Sequence, residues 1–154
     1  MEKRSFTFEE IKLKMARYCA YQDRCHKEVE QKMKEFLLIP EAKDEILLFL
    51  IRENYLNEER FVRSYIRGKF NIKKWGRNKI KSHLKGKGIT EKLILKCFDE
   101  IDYEDYYNTI KALYEKYYTK QTSGSSFDKK QKTIRYLIGK GYEYDAVLDS
   151  ISEL

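Results

Sequence analysis

The chain has 154 residues, 32 Lys or Arg against 25 Asp or Glu, and a formal charge of +7. That length suits one ordinary domain or a short array of small units, and the 37% charged and 42% apolar composition favours thin helical layers over a thick-cored enzyme. With one proline and seven glycines, breakers are too few for anything but a mostly helical chain.

No alternating apolar and polar run bounded by turn residues reads as a strand. The opening MEKRSFTFEEIKLKM has no apolar stretch of the secretory kind. The longest apolar run, 46–51, falls far short of the ~18 residues that span a bilayer. Cys19, Cys25 and Cys97 are odd in number, which fits a reducing cytoplasm and no disulfide framework.

The first helix is expected to start after Thr7, with Thr7 and Glu10 as a capping box, and to bury Ile11, Met15, Tyr18 and Cys19. A second runs from about His26 to Phe36 or Leu37. Pro40 opens a third, where its missing N–H costs nothing, and this helix ends near Asn54. Asn57 caps a fourth that reaches about Phe70. A basic loop, 71–76, leads to a fifth from Arg77 to Lys85, stopped by Gly86 and Gly88. Thr90 caps a sixth. The seventh is rich in tyrosine, from Tyr103 to Tyr118, and is followed by a polar loop over 119–126. An eighth runs from Asp128 to Ile138, stopped by Gly139 and Gly141, and a ninth begins near Tyr144.

An internal repeat underlies this order. Leu84-Lys85-Gly86-Lys87-Gly88-Ile89 aligns with Leu137-Ile138-Gly139-Lys140-Gly141-Tyr142 at a shift of 53 positions, which also pairs Ile94 with Val147 and Phe98 with Ile151. The expected fold is all-α: three tandem three-helix repeats, over 1–54, 55–101 and 102–154, stacked as an elongated curved rod.

Charge is concentrated in the middle unit. From Phe61 to Thr90 there is no Asp or Glu and there are ten Lys or Arg, so taking ten from seven leaves the rest of the chain at −3. Arg63 and Arg67 are one turn apart on the fourth helix, and Arg77, Lys81 and Lys85 repeat that step on the fifth. Two such ridges suit a row of phosphates or carboxylates. Trp75, in the loop between them, is either a stacking residue or a plug between helices. The candidate binding residues are therefore Arg63, Arg67, Lys69, Lys73, Lys74, Trp75, Arg77, Lys81 and Lys85.

Other constellations carry less. Tyr103, Tyr107, Ile110, Tyr114 and Tyr117 form a helical stripe, read as core and rim of a helix layer. Cys19, Cys25 and His26 are spaced too widely for a structural zinc site. Gly86-Lys87-Gly88 ends a helix where a phosphate-cradling loop would open one. No catalytic group, metal or cofactor is expected.

The run Tyr55-Leu56-Asn57-Glu58-Glu59-Arg60-Phe61, then Tyr65-Ile66-Arg67, Trp75-Gly76-Arg77 and Ile80, and Lys87-Gly88-Ile89 resembles the central repeat of the RecX family. Val62 stands where the family usually has Ala, Trp75-Gly76-Arg77 replaces a common Gly-Pro, and Leu37 replaces a turn glycine in the first unit. The resemblance implies a modulator, here expected to be a cytoplasmic monomer, that binds the RecA filament on single-stranded DNA. Such a protein inhibits the recombinase, damping recombinational DNA repair and the SOS response, with possible direct DNA contact. The competing reading, from charge alone, is a stand-alone basic helical module for DNA or RNA.

Overall fold

The structure is a computed structural model that describes residues 5–152. Those residues form nine α-helices in series: α1 (Phe8–Tyr21), α2 (His26–Met33), α3 (Pro40–Arg52), α4 (Glu58–Asn71), α5 (Arg77–Gly86), α6 (Glu91–Cys97), α7 (Tyr103–Lys120), α8 (Ser126–Gly139) and α9 (Tyr144–Ile151). A 3-10 turn, Phe98–Glu100, extends α6. No strand is formed among the described residues, so the expected all-α class holds. None of these helices is long and apolar enough to cross a membrane.

Local chemistry explains most boundaries. Thr7 and Glu10 form the reciprocal box at α1, with Thr7 Oγ1 accepting from Glu10 N at 3.2 Å and Glu10 Oε1 accepting from Thr7 N at 3.0 Å. Asn57 accepts from Arg60 N and Thr90 from Leu93 N, while Pro40 occupies the first turn of α3. α2 is shorter than expected. After Met33 the backbone tightens into i−3 bonds at Lys34, Glu35 and Phe36, which turns the buried Phe36 ring into the core. α8 starts earlier than expected, because Ser125 and Asp128 cap it reciprocally and shrink the polar loop.

The 53-residue repeat is also a repeat of backbone geometry. Gly86 and Gly139 lie within their helices, and Gly88 (φ +82°) and Gly141 (φ +100°) make the left-handed turn. Ile89 N then bonds Leu84 O, and Tyr142 N bonds Leu137 O, both at 3.1 Å. Ile89 and Tyr142 are thereby driven into the interior, 4% and 0% exposed.

Each set of three helices packs on itself, but the cores divide differently. α1–α3 enclose one cluster built on Ile11, Met15, Val29, Met33, Ile46 and Leu50. α4–α9 share a second, continuous cluster that runs from Val62, Ile66 and Ile80 to Ile110, Leu137 and Val147. The accessible surface, 9842 Å², exceeds the about 8,300 Å² expected of a compact monomer of 18.7 kDa. Units laid in series account for the excess.

The expected stripe of α7 largely holds as core and rim, with Ile110 buried and Tyr107 and Tyr114 packed against the core, but Tyr103 leaves it and Tyr106 joins. Tyr106 and Ile110 are fully buried, whereas Tyr103 is 67% exposed. The choice between the two tyrosines is made by Phe70 and Tyr142, whose rings meet Tyr106 at 5.7 and 5.3 Å. Cys19, Cys25 and Cys97 are buried free thiols. Burial pushes all three up from the ordinary thiol range.

Two joints connect the units. Arg60 ties the second to the first: it donates to Asp23 Oδ1 at 2.7 Å and to the carbonyls of Asn54 and Tyr55, each at 3.1 Å. The second and third units meet backbone to backbone. Gly76 N donates to Lys140 O at 2.8 Å, and Asn78 N to Gly141 O at 2.9 Å.

Candidate functional site: a cation–aromatic face on α4 and α5

α4 buries Phe61, Val62, Ile66 and Phe70. This divides its basic residues between two flanks. On one flank, Arg63 reaches Glu59 at 3.2 Å, Asp99 at 2.6 Å and Glu100 at 3.2 Å, and Arg67 reaches Glu100 at 3.1 Å. On α5, Lys81 and Lys85 share Glu91 at 2.5 and 3.5 Å. The acids absent from 61–90 are therefore supplied by the start of α4, the start of α6 and the 3-10 turn.

Arg77 is also committed. Its guanidinium pairs with Glu143 at 3.0 Å and lies 3.9 Å from the centre of the Tyr106 ring. Its backbone N–H donates to Tyr106 Oη at 3.0 Å, and that hydroxyl in turn donates to Glu143. Burial and the Glu143 hydrogen bond push the Tyr106 phenol far above its ordinary range, so it stays a donor. Arg77 belongs to the joint with the third unit.

The remaining cations of the stretch behave differently. Lys69, Lys73, Lys74, Lys79 and Lys87 meet no carboxylate of a described residue at ion-pair distance. Three of them gather around rings. Lys69 Nζ lies 4.8 Å from the Trp75 ring centre and 5.3 Å from that of Tyr65; Lys79 Nζ lies 4.5 Å from Trp75; Lys87 Nζ lies 5.9 Å from Tyr65. His83 packs on Trp75 at 4.6 Å between ring centres. Trp75 is half-buried against the second core, with Lys69, Lys79 and His83 around its ring, so it plugs the α4–α5 corner.

The corner itself is held firmly. Lys74 adopts φ +59°, a conformation that costs a non-glycine residue about 1–2 kcal/mol. Its carbonyl accepts from the buried Tyr142 hydroxyl at 2.7 Å, and Trp75 N bonds Lys69 O at 3.0 Å, which offsets that strain. Tyr142 thus fixes from below the loop that displays Lys73, Lys74 and Trp75.

Of the nine candidate residues, Lys69, Lys73, Lys74 and Trp75 are left available, and Arg63, Arg67, Arg77, Lys81 and Lys85 are engaged within the chain. Sequence reasoning did not include Tyr65, Lys79, His83 and Lys87. Their signal was present: Tyr65, Lys69 and Lys79, His83 and Lys87 repeat at four-residue steps along the two helices. No group of three or more His, Cys, Asp or Glu among the described residues could hold a metal ion.

The paired acids carry a pH signature. Hydrogen bonds from Lys96 and Arg63 hold Glu59 below the ordinary carboxylate range; Lys81 does the same to Glu91, and Arg67 to Glu100. A carboxylate whose folded-state value is depressed contributes stability above its unfolded value, about 4.3, and loses it as pH falls through the folded value. The urea midpoint is expected to be flat from neutrality to about pH 5 and to fall below about pH 4. Glu100→Gln should lower the neutral plateau and shrink that fall, measured by urea titration at each pH.

Comparisons with known proteins agree with the fold. Residues 57–96 match the family model of the RecX second three-helix domain, and residues 104–149 match that of the third. Regulatory protein RecX of Clostridium perfringens (strain 13) is 34% identical over 124 residues, which cover 79% of this chain and 58% of that protein. The protein of the same name from Streptococcus uberis is 31% identical over 130 residues, 84% of this chain and 50% of its own length. The chain thus spans between half and three-fifths of these curated relatives. The crystal structure of RecX from Lactobacillus salivarius superposes with a TM-score of 0.88 at 26% identity, covering 96% of both chains.

Proposed function

The chain belongs to the RecX family of regulatory proteins, and from that premise we propose that it binds a RecA-type recombinase filament on single-stranded DNA and inhibits it. The observation that carries the reading is the set of five lysines on and around α4–α5 that lack an internal carboxylate partner, with Tyr65 and Trp75 among them. Unneutralised charge on a folded domain costs stability through self-repulsion, and an anionic partner recovers it. The filament offers two such surfaces, acidic protein and the phosphates of its strand. The framework beneath is rigid, because Tyr142 and the Gly76–Lys140 bond pin the corner that carries the loop. Arg63, Arg67, Arg77, Lys81 and Lys85 hold the helices in register, and Lys69, Lys73, Lys74, Lys79 and Trp75 make the contacts.

The second reading is a stand-alone nucleic-acid module. It is favoured by Lys69 and Lys79 beside Trp75, cations with no carboxylate partner that can meet the phosphates of a strand. Co-sedimentation with preassembled recombinase filaments and with bare single-stranded DNA separates the two. The filament reading predicts tighter retention on filaments than on bare DNA at the same salt. Equal retention on both, with a steep loss as salt rises, would favour the nucleic-acid module.

A further inference from the structure

A second concave surface lies outside this face. α1, α2 and the turn after α5 enclose an open groove of about 970 Å³, at the upper end of the roughly 300–1,000 Å³ typical of ligand sites. Its apolar side is made by Phe6 and Tyr18 on the α1 side and by the buried Cys25 and Phe36. Its rim carries Lys14, Lys27, Lys32, Lys34 and Lys87, against only Glu28 and Glu35.

Both acids are already used. Glu28 accepts from Cys25 N at 3.2 Å at the start of α2, and Glu35 pairs with Lys32 at 3.0 Å. The other four lysines meet no carboxylate of a described residue. Lys27 donates to Gly86 O at 3.0 Å, and Lys14 rests 4.6 Å from the Phe6 ring centre. Lys34 and Lys14 are exposed.

We propose that this groove docks an acidic peptide segment of a partner protein, with its carboxylates on the rim lysines. Charge complementarity selects an anion, and the ring faces, already covered by cations, leave none for a base to stack on. Arg24 lies 3.8 Å from the Tyr18 ring centre and Lys32 5.6 Å, while Lys14 covers Phe6. A base would have to displace those cations in order to stack, whereas peptide carboxylates meet them where they are. The proposal stands apart from the α4–α5 face, with which the groove shares only Lys87.

The test uses the full chain and a fluorescein-labelled short peptide of Asp and Glu, read by anisotropy at moderate salt. The wild type and Lys69→Glu/Lys79→Glu are expected to bind it alike. Lys14→Glu/Lys34→Glu should weaken it on the order of tenfold. The same change of charge at exposed α7 positions, Lys116→Glu/Lys120→Glu, should leave it unaltered. No binding by the wild type, or equal loss in the α7 control, overturns the proposal. So does loss in Lys69→Glu/Lys79→Glu, which would assign the peptide to the α4–α5 face. Preference for an oligothymidylate of equal charge, abolished by Lys14→Glu/Lys34→Glu, overturns it in favour of a nucleic-acid groove. A matched thermal melt for each variant confirms that the fold is intact.

Discussion

Alanine at Gly76 or Gly141 is expected to destabilise the chain by about 3 kcal/mol or more, with overpacking contributing about 1–3 kcal/mol and two backbone hydrogen bonds about 1 kcal/mol each. The cause at Gly76 is proximity alone. Its φ of −79° suits any residue, but a Cβ there would overlap the carbonyl carbon and oxygen of Gly141 and the amide of Tyr142. These are backbone atoms, so no side chain can swing aside. Gly141 combines a similar clash, against Lys79 Cβ and N, with φ +100°. Its substitution should be the worse of the two. Gly88 is the control, because at φ +82° it has nothing within 4 Å of a built Cβ. Gly88→Ala should cost only the left-handed strain, about 1–2 kcal/mol. Urea unfolding of the three variants decides the matter. Equal losses at Gly76 and Gly88 would mean that the backbone docking of the second and third units contributes little.

Reversing Lys69 and Lys79 together is expected to lower filament inhibition by more than tenfold, on the order of 1.4 kcal/mol of binding, with little change in the urea midpoint. Neither lysine meets a carboxylate, and both lie against the Trp75 ring. Reversal of Arg63 should do the opposite. It would place a new carboxylate beside Glu59, Asp99 and Glu100, which now converge on that guanidinium. That variant loses stability first, and any loss of inhibition follows from unfolding. Measuring both quantities on both variants separates a binding cation from a structural one. Had all ten basic residues been equivalent, the two reversals would act alike.

The same division shows where the sequence was legible. Local chemistry was readable at Thr7, Asn57, Pro40 and Thr90, whose caps act within four residues. The Gly88 and Gly141 turns were readable because the motif occurs twice. Long-range pairing was not. The missing acids of 61–90 come from Glu59 and from Glu91, Asp99, Glu100 and Glu143, the last 66 positions from its partner Arg77. A linear charge count cannot anticipate such pairs. Nor could periodicity show that Tyr106, and not Tyr103, is the fully buried tyrosine of α7, since Phe70 and Tyr142 decide it from other units of the chain. The available cations emerged by subtraction, once the structure had assigned the others their partners.

The most direct test of the regulatory reading is ATP hydrolysis by a RecA-type recombinase on single-stranded DNA, with this protein added in substoichiometric amounts. The account predicts a fall in rate with the wild type and a rate close to that of recombinase alone with Lys69→Glu/Lys79→Glu. An unchanged rate at stoichiometric excess of the wild type, or full inhibition by the reversed variant, would contradict it.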